Sequence, residues 1–308
     1  ARLAYEEFGK EVHVYSPGYV EHEFDELLSY SDHLNFNSIS QLTKFASRVK
    51  DAGKQVGLRL NPEYSEVKTM LYDPCQPFSR FGVTKAEFDD AVIPLLDGIH
   101  FHCLCGLNAD TLERTLYQLE QNFEHVLDHV KWVNFGGGHT ITAPDYNVDL
   151  LCQLIINFQK KYNIKVILEP GEGVVYQAGY LVAEVLDIMH NNMNIAVLNT
   201  SATTHMPDIL EMPYRPNIAN AGQPNEFDHT YRLTGMTCLS GDIIGDFSFT
   251  KPLEIGQKLV FFDMAQYSIV KTTHFNGVPL PSLAKITKDG QLEMVKTFGY
   301  ETFKSRLS

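Results

Sequence analysis

Trp132-Val133-Asn134-Phe135-Gly136-Gly137-Gly138-His139 is the stretch that decides how the chain folds. A short apolar run with a β-branched residue and two aromatics reads as a buried strand, and three glycines in a row end it abruptly. With no side chains in the way, consecutive backbone N–H groups there can converge on an anion. An isolated glycine run is otherwise a flexible turn between a strand and a helix. Further along, Lys165-Val166-Ile167-Leu168 reads as a second strand that delivers Glu169-Pro170-Gly171-Glu172-Gly173 at its carboxyl end. Two strand ends then carry ligand-type groups on the same side of a sheet.

Working back from this stretch, the pattern repeats. Strands are expected at Glu11–Ser16, His33–Asn37, Gln55–Leu60 and Gly98–Cys103. Helices are expected from about Glu23 to Tyr30, from Ser38 as cap to about Val49, near Lys85 to Leu96, from about Asp110 to His129 and from about Asn147 to Tyr162. The connection from Asn61 to Gly82, rich in Pro, Tyr and Ser, is too long to be a simple link, and such loops are usually functional or mobile. Six strands each followed by a helix are the mark of parallel βα units. A closed barrel of such units has eight. The chain starts inside a helix-like run, Ala1 to Phe8 closed by Gly9, so the two remaining units are expected upstream of Ala1; an open six-stranded sheet is the alternative. From about Gly179 the texture changes to strands between Gly, Pro and Asn turns, at 181–188, 195–198, 226–233, 258–262 and 282–286. The expected architecture is therefore an α/β barrel of the TIM type over residues 1–178, supplying strands three to eight, followed by an all-β domain over 179–308.

With 308 residues, 44% hydrophobic and 20% charged, the chain can bury a large core. Its net charge of −13 argues against nucleic acid or an anionic membrane as partner. No apolar run is long enough to span a bilayer and no signal peptide is evident, which makes the cytoplasm the expected location. Cysteines at 75, 103, 105, 152 and 238 suit reduced thiols rather than a disulfide framework.

In a parallel barrel, functional groups collect at the carboxyl ends of strands, where His102, Gly136 to Gly138 and Glu169 are expected. Strand alternation places His100 and His102 on one face and Cys103 on the other. The run from His100 to Cys105 is therefore not expected to converge on a metal, and no metal site is assigned. An inward-pointing His102 can lie flat against a planar ring. Glu169, in a structural setting a salt-bridge partner, can instead hold a proton on a heterocyclic nitrogen, because close opposite charge favours the charged form. With a phosphate cradle beside them, these groups fit a phosphorylated aromatic cofactor, pyridoxal phosphate.

Longer motifs extend this reading. The segments Gly235-Met236-Thr237-Cys238-Leu239-Ser240-Gly241-Asp242-Ile243-Ile244-Gly245-Asp246, Thr200 to Asp208, Glu211-Met212-Pro213-Tyr214-Arg215-Pro216, and Asp263-Met264-Ala265-Gln266-Tyr267 with Phe275-Asn276-Gly277 make the chain resemble the carboxynorspermidine (carboxyspermidine) decarboxylases. These belong to the alanine-racemase-like, fold type III group of pyridoxal-phosphate decarboxylases. The resemblance covers the whole chain, and Glu-Pro-Gly-Glu at 169–172 separates it from relatives that carry Glu-Pro-Gly-Arg.

The resemblance implies a homodimer with active sites shared between subunits, acting on a polyamine substrate. His102 would stack on the cofactor ring, Gly136, Gly137 and Gly138 would hold its phosphate with Tyr267, and Glu169 would face the ring nitrogen. Cys238 would come from the partner subunit as the acid that protonates the carbon left by CO2. Asp242 would lie near the distal amine, and Glu172 would meet another ammonium group. The cofactor-bearing lysine of the family is expected before Ala1. Gly106, Asn199 and Gln266 stand where the family usually has an acidic residue, Asp and His. The alternatives are a decarboxylase of diaminopimelate or another basic amino acid, and a noncatalytic homologue.

Overall fold

The computed structural model describes all 308 residues, which separate into two compact units, Ala1–Val174 and Val175–Ser308. The first is built on six strands: β1 (His13–Tyr15), β2 (His33–Phe36), β3 (Gln55–Arg59), β4 (Gly98–His100), β5 (Trp132–Asn134) and β6 (Lys165–Ile167). They pair in sequence order and every pair is parallel. β2, β4 and β5 are buried along their whole length, as expected of strands covered on both faces.

Two contacts decide between an open sheet and a curled one. A flat six-stranded sheet sets its edges about 24 Å apart, at about 4.8 Å per step. Here Lys165, the first residue of β6, reaches Glu11, just before β1, at 3.2 Å. The rings of His33 on β2 and Trp132 on β5 are 5.1 Å apart between centroids. Only a sheet curled as in a barrel brings these strands together, and the six strands form part of such a barrel.

The helices around the sheet follow their caps and apolar faces. Ser38 Oγ accepts the Gln41 N–H at 3.3 Å and starts the helix Ile39–Asp51, whose Leu42, Phe45, Ala46 and Val49 are buried. Phe45 stacks on Phe24 at 4.1 Å and both are fully buried, each burial being worth roughly 1.5–3 kcal/mol. Asn147 Oδ1 caps Val148–Tyr162 in the same way through the Leu150 N–H at 3.0 Å, whereas Asn108 Oδ1, at the start of Ala109–Leu127, accepts the adjacent Ala109 N–H at 2.7 Å. The helix expected near Lys85 to Leu96 is instead two 3-10 segments, Lys85–Glu87 and Asp90–Leu95. Pro94 has no N–H to continue a helix, and Asp89 Oδ1 takes the Ala91 N–H at 2.9 Å.

The second unit contains a six-stranded sheet in the order β12-β7-β8-β10-β11-β9. Its strands are β7 (Tyr180–His190), β8 (Asn194–Leu198), β9 (Ala221–Gly222), β10 (His229–Thr234), β11 (Ile243–Phe249) and β12 (Lys258–Phe262). β8 and β10 are parallel and the other pairs antiparallel. A separate hairpin joins β13 (Leu283–Ile286) to β14 (Leu292–Lys296). The unit is β-rich rather than all-β, since short helices occupy Ala202–His205, Asp208–Glu211, Tyr267–Val270 and Tyr300–Lys304. β11 was not expected from sequence because Gly245 and Asp246, both poor strand formers, interrupt its apolar run.

Candidate active site

Three neighbouring strands of the first unit end on one level. His100, Asn134 and Ile167 are register partners at the ends of β4, β5 and β6. His102, Gly136 and Glu169 each lie two residues further along, so the parallel ladder places them in a row. The ladder itself continues through Phe101 N–H to Asn134 O at 2.9 Å, Phe135 N–H to Ile167 O at 2.9 Å and Glu169 N–H to Gly136 O at 2.8 Å.

The glycines are there because backbone and side chains crowd them. A Cβ on Gly136 would stand 2.5 Å from Phe101 O, and one on Gly138 would stand 2.0 Å from Leu104 O; both residues have positive φ, 70° and 81°. Their amides are not all open to a ligand. Gly136 N–H donates to Asn134 Oδ1 at 2.8 Å and Gly137 N–H to His102 Nδ1 at 3.1 Å, which leaves Gly138 N–H as the free donor of the run.

His102 is half-buried, and burial, with the Arg59 charge second, pulls its pKa down to about 4. It is a neutral ring, and the Gly137 bond makes Nδ1 the acceptor and fixes the ring's orientation. Glu169 has one oxygen anchored and one open: Asn134 Nδ2 donates to Oε1 at 2.7 Å, while Oε2 stands 3.9 Å from His100 Nε2. His100 is fully buried with neither ring nitrogen hydrogen-bonded, and burial holds its pKa well below the usual range. A half-exposed carboxylate oxygen beside a neutral, flat imidazole and bare glycine backbone fits a planar ring with a protonated nitrogen and an anionic group.

Sequence reasoning passed over Asn134, which ties Glu169 to Gly136. Its signal was a lone polar residue at the end of a buried apolar strand, a position that requires hydrogen-bond partners. His139 is a second case: it is buried, bonded through Nδ1 to Tyr146 Oη at 3.1 Å and held near a pKa of about 4 by burial. Glu172 is half-buried in the segment after Glu169, and its charge adds to burial in raising the Cys105 thiol pKa.

Two groups of potential metal ligands come close: His100, His102 and Glu169, and Glu11, His13 and His33. In the first, His102 Nδ1 already accepts from Gly137. In the second, the imidazoles stack face to face at 4.0 Å and both Nε2 atoms lie near Glu11 Oε2, at 3.7 and 3.9 Å. Cys103 and Cys105 join neither group.

In the second unit, Cys238 is exposed on the turn between β10 and β11, and its N–H donates to Asn276 Oδ1 at 2.7 Å. That bond unites Cys238 with the Phe275-Asn276-Gly277 motif. Asp242 departs from the role expected for it at a distal amine. It is 3% exposed and its carboxylate accepts Ser201 Oγ at 2.8 Å, Thr237 Oγ1 at 2.6 Å, Thr237 N–H at 3.2 Å and Thr203 N–H at 3.3 Å. A carboxylate so enclosed holds the Cys238 turn and has no face left for a substrate. Tyr267 is exposed at the start of Tyr267–Val270, with the Lys271 ammonium 5.6 Å from its ring. Asn199 Oδ1 accepts the Glu184 N–H at 2.8 Å, and Gln266 Nε2 is buried without a partner.

Comparison with known proteins gives these positions a setting. The family described as "Pyridoxal-dependent decarboxylase, C-terminal sheet domain" matches residues 12–265. The chain is 42% identical to the carboxynorspermidine/carboxyspermidine decarboxylase of Campylobacter jejuni, over 99% of this chain and 82% of the relative. It is 41% identical to the carboxyaminopropylagmatine decarboxylase of Synechocystis, over 100% of this chain and 80% of the relative. The crystal structure of the Campylobacter jejuni carboxynorspermidine decarboxylase complexed with norspermidine superposes with a TM-score of 0.91 at 41% identity, covering 99% of this chain and 83% of that one. Diaminopimelate decarboxylase from Helicobacter pylori complexed with L-lysine shares the fold at 17% identity, with a TM-score of 0.78 and coverage of 95% and 77%.

Proposed function

The chain belongs to the pyridoxal-dependent decarboxylase family, and we propose that it converts carboxynorspermidine or carboxyspermidine to norspermidine or spermidine in polyamine biosynthesis. The observation that carries this reading is the row of His102, Gly136 and Glu169 on three successive strand ends, in a chain 42% identical over 99% of its length to a decarboxylase of those two compounds.

When bound, pyridoxal phosphate supplies the electron sink that accepts the pair left behind by CO2. The protein supplies position and charge. Glu169 Oε2 would hold the proton on the ring nitrogen, with Oε1 kept in place by Asn134. Neutral His102 would lie against the ring face. Gly136, Gly137 and Gly138 would let the phosphate approach bare backbone, with Gly138 N–H as a donor; Tyr267 is assigned to the phosphate by the family resemblance. Glu172 receives an ammonium group of the substrate. Cys238, contributed by the partner subunit of a homodimer, delivers the proton to the substrate carbon. Asp242 acts through Cys238, by fixing the turn that presents it. A reducing compartment such as the cytoplasm suits the five free thiols.

A second reading is favoured by one observation. Identity to the carboxyaminopropylagmatine decarboxylase is 41%, nearly the same, and that substrate ends in a guanidinium where the others end in an ammonium. Incubation of the protein and pyridoxal phosphate with each of the three carboxylated compounds, followed by chromatography of the amines formed, separates the readings. Norspermidine or spermidine as the fastest product supports the first, and aminopropylagmatine the second. Amine product from none of them overturns both.

A further inference from the structure

Away from the row of strand ends, the first unit brings two cysteines into contact. Cys103 follows His102 directly and is 1% exposed. Cys75 is half-buried in the long connection between β3 and β4, and the two Sγ atoms are 3.5 Å apart, in hydrogen-bond contact.

That connection is tied on both sides of Cys75. Cys75 N–H donates to Asp73 Oδ1 at 2.9 Å, and Ser79 Oγ donates to Pro74 O at 2.6 Å. Ser65 Oγ donates to Cys103 O at 3.3 Å. Arg114 grips Glu66 through both carboxylate oxygens, at 2.5 and 2.9 Å. The sulfurs are thus held against each other by folded structure on each side. Bonding distance is about 2.05 Å, so the sulfurs have about 1.5 Å to close from 3.5 Å.

We propose that Cys75 and Cys103 form an oxidisable dithiol, at which a hydroperoxide joins the two thiols in a disulfide that pins the 61–82 connection to the residue beside His102. The two sulfurs have different parts in it. Contact with the Cys103 thiol draws the Cys75 pKa below its usual value, whereas burial first, and Cys75 second, push Cys103 well above. Cys75 is also the more exposed of the two, so it supplies the thiolate that meets the peroxide.

The Cys75 sulfur attacks the near oxygen of the hydroperoxide. An S–O bond forms, the O–O bond breaks, and the departing alkoxide or hydroxide takes up a proton, leaving Cys75 as a sulfenic acid. The Cys103 sulfur then attacks the Cys75 sulfur. The S–S bond forms, the S–O bond breaks, and the leaving hydroxide combines with the Cys103 proton as water. Two thiols are oxidised by two electrons and one peroxide is reduced to alcohol or water.

The test is to reduce the folded protein, treat it with equimolar hydrogen peroxide, quench in acid, alkylate and digest with trypsin. The expected product links the peptide 69–80 to the peptide 86–114, which carries Cys103 and Cys105. Fragmentation should place the link at Cys103, three of the five cysteines should remain alkylated, and dithiothreitol should restore all five. Five alkylatable cysteines after peroxide, a sulfinic acid on Cys75 with no cross-link, or a link to Cys105 would each overturn the proposal.

Discussion

Asn134 Nδ2 donates to Glu169 Oε1 at 2.7 Å while Asn134 Oδ1 accepts the Gly136 N–H at 2.8 Å. One fully buried amide thereby fixes both the Glu169 carboxylate and the first glycine of the 136–138 run, the groups proposed to meet the ring nitrogen and the phosphate. Asn134→Asp keeps the acceptor for Gly136 and removes the donor to Glu169. Losing a hydrogen bond to a charged group costs about 1.5–3 kcal/mol, so affinity for pyridoxal phosphate should fall by about ten- to a hundred-fold. Fluorescence titration reads this directly, and wild-type affinity in the variant would contradict the role given to Asn134.

Asp242 and Cys238 allow a split between structural and substrate roles. Asp242→Asn places an amide against the Ser201 and Thr237 donors in a site that is 3% exposed. It should destabilise the protein by about 1.5–3 kcal/mol and make the turn at 235–242 easier to cleave in limited proteolysis. A variant of unchanged melting temperature but raised KM would show that Asp242 touches substrate after all.

Cys238→Ala should leave cofactor affinity unchanged and lower turnover by about a hundred-fold or more, the usual share of a general acid, or let the carbon be protonated wrongly. Steady-state rates and product analysis check this. A wild-type rate and product would remove Cys238 from the mechanism.

How much of this was legible depended on whether an interaction is local. The strand ends at His102, Gly136 and Glu169 could be read because β4, β5 and β6 are short apolar runs closed by Gly and Pro, and parallel pairing does the rest. The curl of the sheet was expected only from counting βα units against the eight of a closed barrel; the contacts that show it, such as Glu11 with Lys165, join residues far apart in sequence. Likewise Asp242 sits in a motif that invites a substrate role; two of its four donors come from Thr237 in that motif, but the other two, from Ser201 and Thr203, come from a segment that only folding brings against it. The expected helix near Lys85 failed for a local reason that was readable, Pro94 and the Asp89 turn.

Stability should fall in mild acid. His33, His102 and His139 are each held near a pKa of about 4, in every case chiefly by burial, against a usual value of about 6.5. Between those limits the unfolded chain binds protons that the folded chain refuses, so stability is full above about pH 6.5 and declines as pH falls toward 4. Melting temperatures measured from pH 8 to 4.5 should be level at first and then drop. A flat profile down to pH 5 would mean that these rings are not held neutral.

The most direct test of the whole account is competition. Carboxynorspermidine and diaminopimelate are supplied together at equal concentration to the protein and pyridoxal phosphate, and norspermidine and lysine are measured over time. Norspermidine is the expected product, with little or no lysine. Lysine as the main product, or neither amine, would contradict it.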